Sequence, residues 1–547
     1  METRRADDAL HYLLHAQALS AREVIVPQVV SYEALSRVHT PAYLESLLLP
    51  ETMAHIFAVD PTDVYVDELM RTLRLACGGT LEAARYAVSQ RKATLNLLGG
   101  FHHAAPNRGA GFCAVNDVAV AIAALRAEGF TGRVGVIDLD CHPPDGTAEC
   151  LGRDASVWLG SISGVVWGPL EGVDEIALPA GTGDSEYLSA LEKLLSRMPE
   201  VELVFVLAGG DVLAGDRLGT LDLSLNGVRE RDLKVVERLG SLPQVWLPAG
   251  GYSAHSWKIL AGTGLAIAFR TDDLIPTDYN PLAARMLGIS RSLKTESLGS
   301  TPLVTDADIA EALGMHREGP PKLLGFYSNE GIEYALEQFG FLGLLRRLGF
   351  DGLRVSLDRV GQSDRVRLNG RDSLSGTAVT LVELEVERRK LGAGTFLFVN
   401  WMSLRNPRAK FSDVRPQLPG QEVPGLGLAR EMSQLLGLMA KRVLLDGVAF
   451  RPSWFHMAFA ARHVSRFVNP QRQGRFQAII RDTKHLTLLE ATRAIAEGRL
   501  TLNGAPYTWE ADEMVSWLEY RRDPVDQAAI AAERERCHFT VATKPSA

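Results

Sequence analysis

Cysteine is scarce: five in 547 residues, at Cys77, Cys113, Cys141, Cys150 and Cys537, with no CxxC pair. A sparse, odd set argues against a disulfide framework and for reduced thiols in the cytoplasm. No apolar run reaches the roughly 18 residues expected of a membrane span. The first residues, Met1-Glu2-Thr3-Arg4-Arg5-Ala6-Asp7-Asp8, lack the apolar core of a signal peptide. An excess of positive charge is missing too. Lys and Arg number 58 against 66 Asp and Glu, a net charge of −8 and a pI near 6.0, which excludes a general nucleic-acid surface. The balance of 46% hydrophobic and 23% charged residues is that of a globular protein with a large core, and the length calls for more than one domain.

Against this plain background one string stands out, Ile137-Asp138-Leu139-Asp140-Cys141-His142-Pro143-Pro144-Asp145-Gly146. An apolar run from Val134 to Ile137 reads as a buried strand and leads straight into three carboxylates and an imidazole. Such a group shares a small volume only with a cation or a set of donors nearby. Asp140 and His142 are two apart, so at a strand end they point the same way, as metal ligands would. Alternation turns Cys141 away, as a small buried apolar residue. Read by itself, the string is as readily a polar strand end as a metal site.

Other blocks weigh on that choice. Upstream stand Gly99-Gly100-Phe101-His102-His103, Gly111-Phe112-Cys113 and Asn116-Asp117. Downstream stand Leu207-Ala208-Gly209-Gly210-Asp211, Ala214-Gly215-Asp216 and Pro248-Ala249-Gly250-Gly251-Tyr252. Most follow an apolar, strand-like run and end in Gly and a polar residue. Glycine there lets backbone approach a ligand closely. In parallel α/β sheets, sites form at the carboxyl ends of strands. Four such ends, each offering His, Asp or Tyr, describe one pocket assembled from separated segments.

The order HH, GFC-x-x-ND, D-x-D-x-H-x-x-DG, GGD-x-x-x-GD and GGY resembles the zinc-dependent histone deacetylase family, with its bacterial acetoin-utilisation proteins and acetylpolyamine amidohydrolases. Leu35-Ser36-Arg37-Val38-His39-Thr40-Pro41-Ala42-Tyr43-Leu44 resembles the family's early segment, and the resemblance spans about residues 10 to 270. It implies an arginase/deacetylase-like three-layer α/β fold with a mainly parallel sheet. It makes Asp140, His142 and Asp211 the ligands of a catalytic Zn2+; the same His/Asp/Asp set also suits Fe2+. His103 would be the general base and His102 its electrostatic partner, with Asp138 and Asp145 orienting His102 and His103 respectively. Tyr252 would donate to the developing oxyanion. Gly111 and Phe112 would form one wall of a tunnel for an acyl-lysine stem, and Gly250 and Gly251 would carry the tyrosine loop. Ser161 and Ile162, with Asp138, Asp140 and His142, match a K+ site of some relatives.

The chain departs from the family in places. Pro143-Pro144 stands where many members carry His-Gly, so the loop from His142 to Asp145 must be hydrogen-bonded differently. Ser163 stands where many members have a His, and Trp167 is a candidate for the opposite wall. A helix-like Asp7 to Ser20 begins where relatives usually have a first strand, so an edge strand is expected to be absent or supplied otherwise.

The first domain is expected over residues 1–287 and a linker with short helices over 288–320. An α+β domain would follow over 321–523, then a C-terminal helix and tail over 524–547. In the second domain, Asn329 to Leu348 has helical spacing. Leu353 to Leu357, Val366 to Asn369, Ala378 to Arg388 and Thr395 to Leu404 read as an antiparallel meander, with period-two alternation from Val379 to Val386. Helical patterns follow at Leu428 to Leu445 and Trp454 to Phe467. The order of meander, Gly-rich loop (Leu418 to Gly427) and helix resembles that of GNAT-type acyltransferases, although the spacing departs from their Q/R-x-x-G-x-G pattern.

Three functions follow from the resemblance. The leading one is a zinc-dependent deacylase acting on acyl-lysine in a protein or peptide, or on an acylated small amine. The others are a catalytically silent acyl-ligand binding module, and a bifunctional deacylase with an acyl-CoA-binding second domain. Neither membrane nor general nucleic-acid partners are expected, and the oligomeric state is not legible.

Overall fold

Six short segments of the first 250 residues build the central sheet, and those at its centre are apolar enough to be covered on both faces. β2 (Val134–Asp138) and β5 (Leu203–Leu207) are buried at every position. Continuous burial marks a parallel sheet with helices on both sides. With β1 (Ala93–Leu95), β3 (Val157–Ser163), β4 (Val173–Ala177) and β6 (Gln244–Leu247), they pair in the order β1-β6-β5-β2-β3-β4, every pair parallel. Alternate residues feed two cores. Val134, Val136, Phe205 and Leu207 join one cluster with Leu73, Ala84 and Ala119, while Ile137, Val204, Val206 and Trp246 join the other with Leu191, Leu194 and Val235. The result is a three-layer α/β fold, as expected.

The structure is a computed structural model that describes residues 4–271, 275, 279–299, 321–412, 415–519 and 526–542. The chain divides into units Met1–Pro281 and Leu282–Ala547. In the first unit, α1 (Arg5–His15) takes the place of the expected longer helix and ends where Gln17 turns to φ 56°. Then come α2 (Tyr32–Ser36), α3 (Pro41–Ser46), α4 (Pro50–Phe57), α5 (Val66–Gln90), α6 (Asp117–Ala127), α7 (Asp145–Leu151), α8 (Asp184–Arg197), α9 (Leu225–Leu239) and α10 (Ser256–Phe269). No described helix is long and apolar enough to cross a membrane.

His39, between α2 and α3, holds the segment after the tandem histidines. It is 1% exposed. Its Nδ1 lies 3.0 Å from the Ala105 carbonyl, and the Asn116 amide donates to its Nε2 at 3.0 Å. One nitrogen must donate and the other accept, so the ring is neutral and its tautomer fixed. Burial pushes its pKa down to about 4. The unfolded chain takes up this proton near pH 6.5 and the folded chain near 4, so stability is full above 6.5 and falls as pH drops towards 4. The loss at low pH is about 3 kcal/mol. Urea unfolding from pH 7 to 4 should show this slope, and His39→Gln should flatten it; equal slopes in both proteins would exclude His39 as the cause.

In the second unit, β7 (Phe350–Val360), β8 (Ser363–Asp372), β9 (Ala378–Leu391) and β10 (Gly394–Leu404) form the expected antiparallel meander. The helix Ala429–Arg442 then crosses over to β11 (Gly447–Phe450), which pairs parallel with β10. β12 (Arg466–Phe467) and β15 (Met514–Trp517) complete the order β12-β15-β11-β10-β9-β8-β7. A separate sheet joins β13 (Leu500–Leu502), β14 (Ala505–Pro506) and β16 (Phe539–Val541).

Four local expectations differ. The helix expected over Asn329 to Leu348 breaks at Gly340 (φ 80°) into Asn329–Gln338 and Phe341–Arg347. The helix expected over Trp454 to Phe467 stops at Ala461 and gives way to β12. The linker expected to carry short helices does so in its described part, Pro281–Ser292 and Thr295–Leu298, but these pack Met286, Leu293 and Leu298 into the second unit's core; residues 300–320 lie outside the described residues. Residues 524–547 hold a helix, Gln527–Arg536, and then a paired strand, because Phe539 and Cys537 join an apolar cluster; residues 543–547 lie outside the description.

Candidate metal centre and its surroundings

The ends of β2 and β5 lie side by side, Asp138 level with Leu207, and the Leu139 amide donates to the Leu207 carbonyl at 2.9 Å. The chains that leave these ends carry Asp140, His142 and Asp211. One ligating atom from each lies within 4.8 Å of the other two. His142 Nδ1 is 3.1 Å from Asp140 Oδ1 and 3.0 Å from Asp211 Oδ2. Asp140 and Asp211 are 1% and 0% exposed, so both carboxylates sit out of water with one imidazole between them.

The charge balance of this set is telling. Burial, then the negative charge of Asp140, pushes Asp211 up to about 7. Burial opposes a charged His142, but the two carboxylates outweigh it and hold the imidazole up at about 11. Asp140 lies well below the usual carboxylate range: burial raises it, and His102 and His142 more than reverse that. Two buried carboxylates and one neutral imidazole nitrogen are a donor set that a divalent cation satisfies better than protons do. The residues therefore fit Zn2+ or Fe2+.

The two other histidines stand beside this set, their rings 4.0 Å apart. His102 Nδ1 meets Asp138 Oδ2 at 2.9 Å, and its Nε2 is 3.7 Å from Asp140. Burial disfavours its charge, yet Asp138 and Asp140 hold it up at about 9. His103 Nδ1 meets Asp145 Oδ1 at 2.7 Å. Burial and the neighbouring His102 charge push His103 down, so it is the neutral member of the pair. In each pair the carboxylate holds Nδ1 and leaves Nε2 for other partners.

Glycine is required where backbone crowds these groups. A Cβ on Gly111, whose φ is 52°, would lie 2.4 Å from His103 Cδ2. One on Gly250 would lie 2.5 Å from Asp140 Oδ2 and 2.6 Å from Asp211 Oδ2. Phe112 follows at φ 64°, a left-handed conformation that costs a β-carbon residue of order 1 kcal/mol or more. It brings the Phe112 ring to 5.6 Å from that of Tyr252. The Trp167 ring is 5.4 Å from His103 and 6.2 Å from His142, with 51% of its surface exposed. Ser163 turns elsewhere and donates to Glu175 and to the Val165 carbonyl. Phe112 thus packs beside Tyr252, and Trp167 beside His103 and His142.

The Pro143-Pro144 pair begins α7. The Pro143 carbonyl accepts from Asp145 N–H, and the Pro144 carbonyl from Ala148 N–H, each at 2.9 Å. Amides at a helix start have no partner within the helix, so two missing N–H groups cost little there. Cys141 turns away, its Sγ 3.2 Å from the Thr220 amide. Ser161 Oγ is fully buried without a hydrogen-bond partner among the described residues, an orphaned oxygen that fits a monovalent cation.

Some residues of the site have no motif of their own. Arg5 of α1 donates to the carbonyls of Ala249 and Gly250, each at 2.7 Å, and clamps the loop that carries Tyr252. The Tyr252 amide donates to Asp216 at 2.7 Å, and the Gly250 amide to Asp140 at 2.6 Å. Beneath them Arg231, fully buried, donates to the Gly209 carbonyl at 2.6 Å and pairs with Asp232. It thereby ties the segment that delivers Asp211.

Comparison with known proteins shows the family. The histone deacetylase domain model matches residues 1–263. Histone deacetylase 2 of Arabidopsis thaliana is 34% identical over 268 residues, 46% of this chain and 68% of that protein. A probable deacetylase of Archaeoglobus fulgidus is 28% identical over 283 residues, 47% of this chain and 78% of that protein. The crystal structure of an HDAC homolog from Aquifex aeolicus aligns with a TM-score of 0.43 and 25% identity, covering 50% of this chain and 79% of that one. The chain belongs to the histone deacetylase family.

Proposed function

We propose that the first unit hydrolyses the amide of an acyl-lysine, in a protein or peptide, or of an acylated small amine. The observation that carries the reading is the convergence of two His–Asp pairs on the buried Asp140, His142 and Asp211. A binding module needs acceptors and shape; it has no use for a proton-transfer pair. Asp140, His142 and Asp211 would hold Zn2+, which when bound polarises a carbonyl and acidifies water towards neutral pH. Fe2+ suits the same set.

His103 takes the proton from the attacking water at Nε2, because Asp145 occupies Nδ1. It then returns a proton to the departing amine nitrogen, so the amide C–N bond breaks and carboxylate and amine leave. His102, paired with Asp138, keeps a positive charge beside His103 and Asp140. The Tyr252 phenol faces the carbonyl as it becomes an oxyanion. Gly111 and Phe112 on one side, and Trp167 on the other, grip an extended alkyl stem, which suits a lysine or polyamine chain. Gly250 and Gly251 leave room for the acyl group beside Tyr252. Ser161, Asp138 and the backbone around Asp140 would hold a K+ ion beneath the pocket. Free thiols throughout the described chain suit a reducing, cytoplasmic setting.

The test is release of carboxylate from acetyl-lysine peptides and acetylated polyamines across a series of acyl lengths, with the protein loaded with Zn2+ or Fe2+. Turnover that chelation stops and metal restores supports the reading. Tight binding of these amides without turnover would replace it with a silent binding module.

A further inference from the structure

We propose that the second unit binds a short aliphatic chain ending in a single carboxylate. The site is a cavity of about 80 Å3, part of it open to solvent. It lies between the helices Asn329–Gln338 and Ala429–Arg442 and one face of β8 and β9, all within the second unit. Leu336, Phe339, Leu368, Leu384 and Leu435 line it, and among the described residues of its lining only Ser290, Tyr327 and Arg442 are polar. Protein interiors are packed like organic crystals, with few voids larger than a water. An apolar space of this size forfeits packing contacts on every wall until something apolar fills it. Ligand sites have this character: mostly apolar walls and a few convergent polar groups that orient the ligand.

The polar end identifies the head group. Arg442 Nη2 donates to the Ser290 carbonyl at 2.8 Å and to its hydroxyl at 3.3 Å, and the guanidinium has no carboxylate partner among the described residues. Its place in the last turn of its helix offsets only part of that charge. Tyr327, 5% exposed, lies within the field of the same guanidinium, and its hydroxyl makes no hydrogen bond among the described residues. Burial keeps that phenol protonated, as a donor. A cation and an O–H donor beside one apolar space call for an acceptor with one negative charge, and a carboxylate's two oxygens can take both. A phosphorylated ligand would leave charge unmatched, since no second cation among the described residues lines the cavity.

Calorimetric titration of the full-length protein with pentanoate and 1-pentanol tests this. Pentanoate is expected to bind one-to-one and at least tenfold tighter than the alcohol. Arg442→Met should remove that preference, and Leu435→Trp, which fills the cavity, should remove binding of both. Should Leu435→Trp fail to fold, Arg442→Met decides by itself. The proposal is overturned when neither compound binds, when the alcohol binds as tightly as pentanoate, when the preference for pentanoate survives Arg442→Met, or when pentanoate binding disappears in Asp211→Ala, which would place the ligand in the first unit.

Discussion

Asp211→Ala should lower kcat/KM on an acetylated substrate by about 1,000-fold or more while the protein keeps its fold. A metal held by two carboxylates and one imidazole supplies several kcal/mol of charge stabilisation, and each 1.36 kcal/mol is tenfold in rate. Removing one of three donors forfeits most of that. The variant also tests the charge balance. In the protein without metal, Asp211 is held up at about 7 by burial and by Asp140, above its usual 3.8. A raised folded-state pKa means stability that is complete at low pH and is lost as pH rises through about 7. His142, held up at about 11, acts in the same direction above pH 6.5. Metal binding runs the opposite way, because it needs these groups deprotonated. The gap in Tm between metal-loaded and chelated wild type should therefore widen from pH 5 to pH 8. In Asp211→Ala it should nearly close. Unchanged activity, or a gap that ignores the substitution, would remove Asp211 from the site.

Much of the candidate site was legible because most of its residues follow an apolar strand and sit among glycines, a pattern carried by neighbours in sequence. Gly209-Gly210-Asp211 and Gly250-Gly251-Tyr252 are of this kind, and a Cβ on Gly209 or Gly250 would strike Asp140 or Asp211. Arg5 left no such trace. Its partners are some 245 residues away, and nothing around it departs from an ordinary charged helix start. Arg231 and Asp232 did leave one: they share the inner face of α9 with Val228 and Val235, and charge on an apolar helical face signals a buried pair. Pro143-Pro144, expected to change the hydrogen bonding of the ligand loop, stands at a helix start, which a pair of prolines announces well. In the second unit the period-two alternation of β9 was readable. The parallel pairing of β10 with β11 was not, since register across a crossover is set by tertiary packing. The Ser- and Thr-rich stretch after residue 287 suggested a linker by composition, while Met286 and Leu293, a heptad apart, already carried the helical signal.

Tyr252→Phe isolates one hydroxyl. In the structure the phenol ring packs against Phe112, and its amide and the neighbouring carbonyls are held by Asp216 and Arg5, so the loop keeps its place without the oxygen. Burial, reinforced by the charges of Asp140 and Asp211, keeps the phenol protonated throughout the working pH range. In the proposed reaction it is a donor whose acceptor comes from the substrate, and a donor matters most where negative charge appears in the transition state. Loss of one oxyanion donor lowers kcat by about 100- to 1,000-fold. The ground-state amide oxygen carries less charge, so KM should change by less than about threefold. Steady-state kinetics on one acetylated peptide, with Tm as the control for folding, separates the two effects. A thousandfold loss confined to kcat is the signature of a donor to the oxyanion. A rise in KM with kcat intact would make Tyr252 a wall of the pocket, and the oxyanion would then have to be met by the metal and His102 alone.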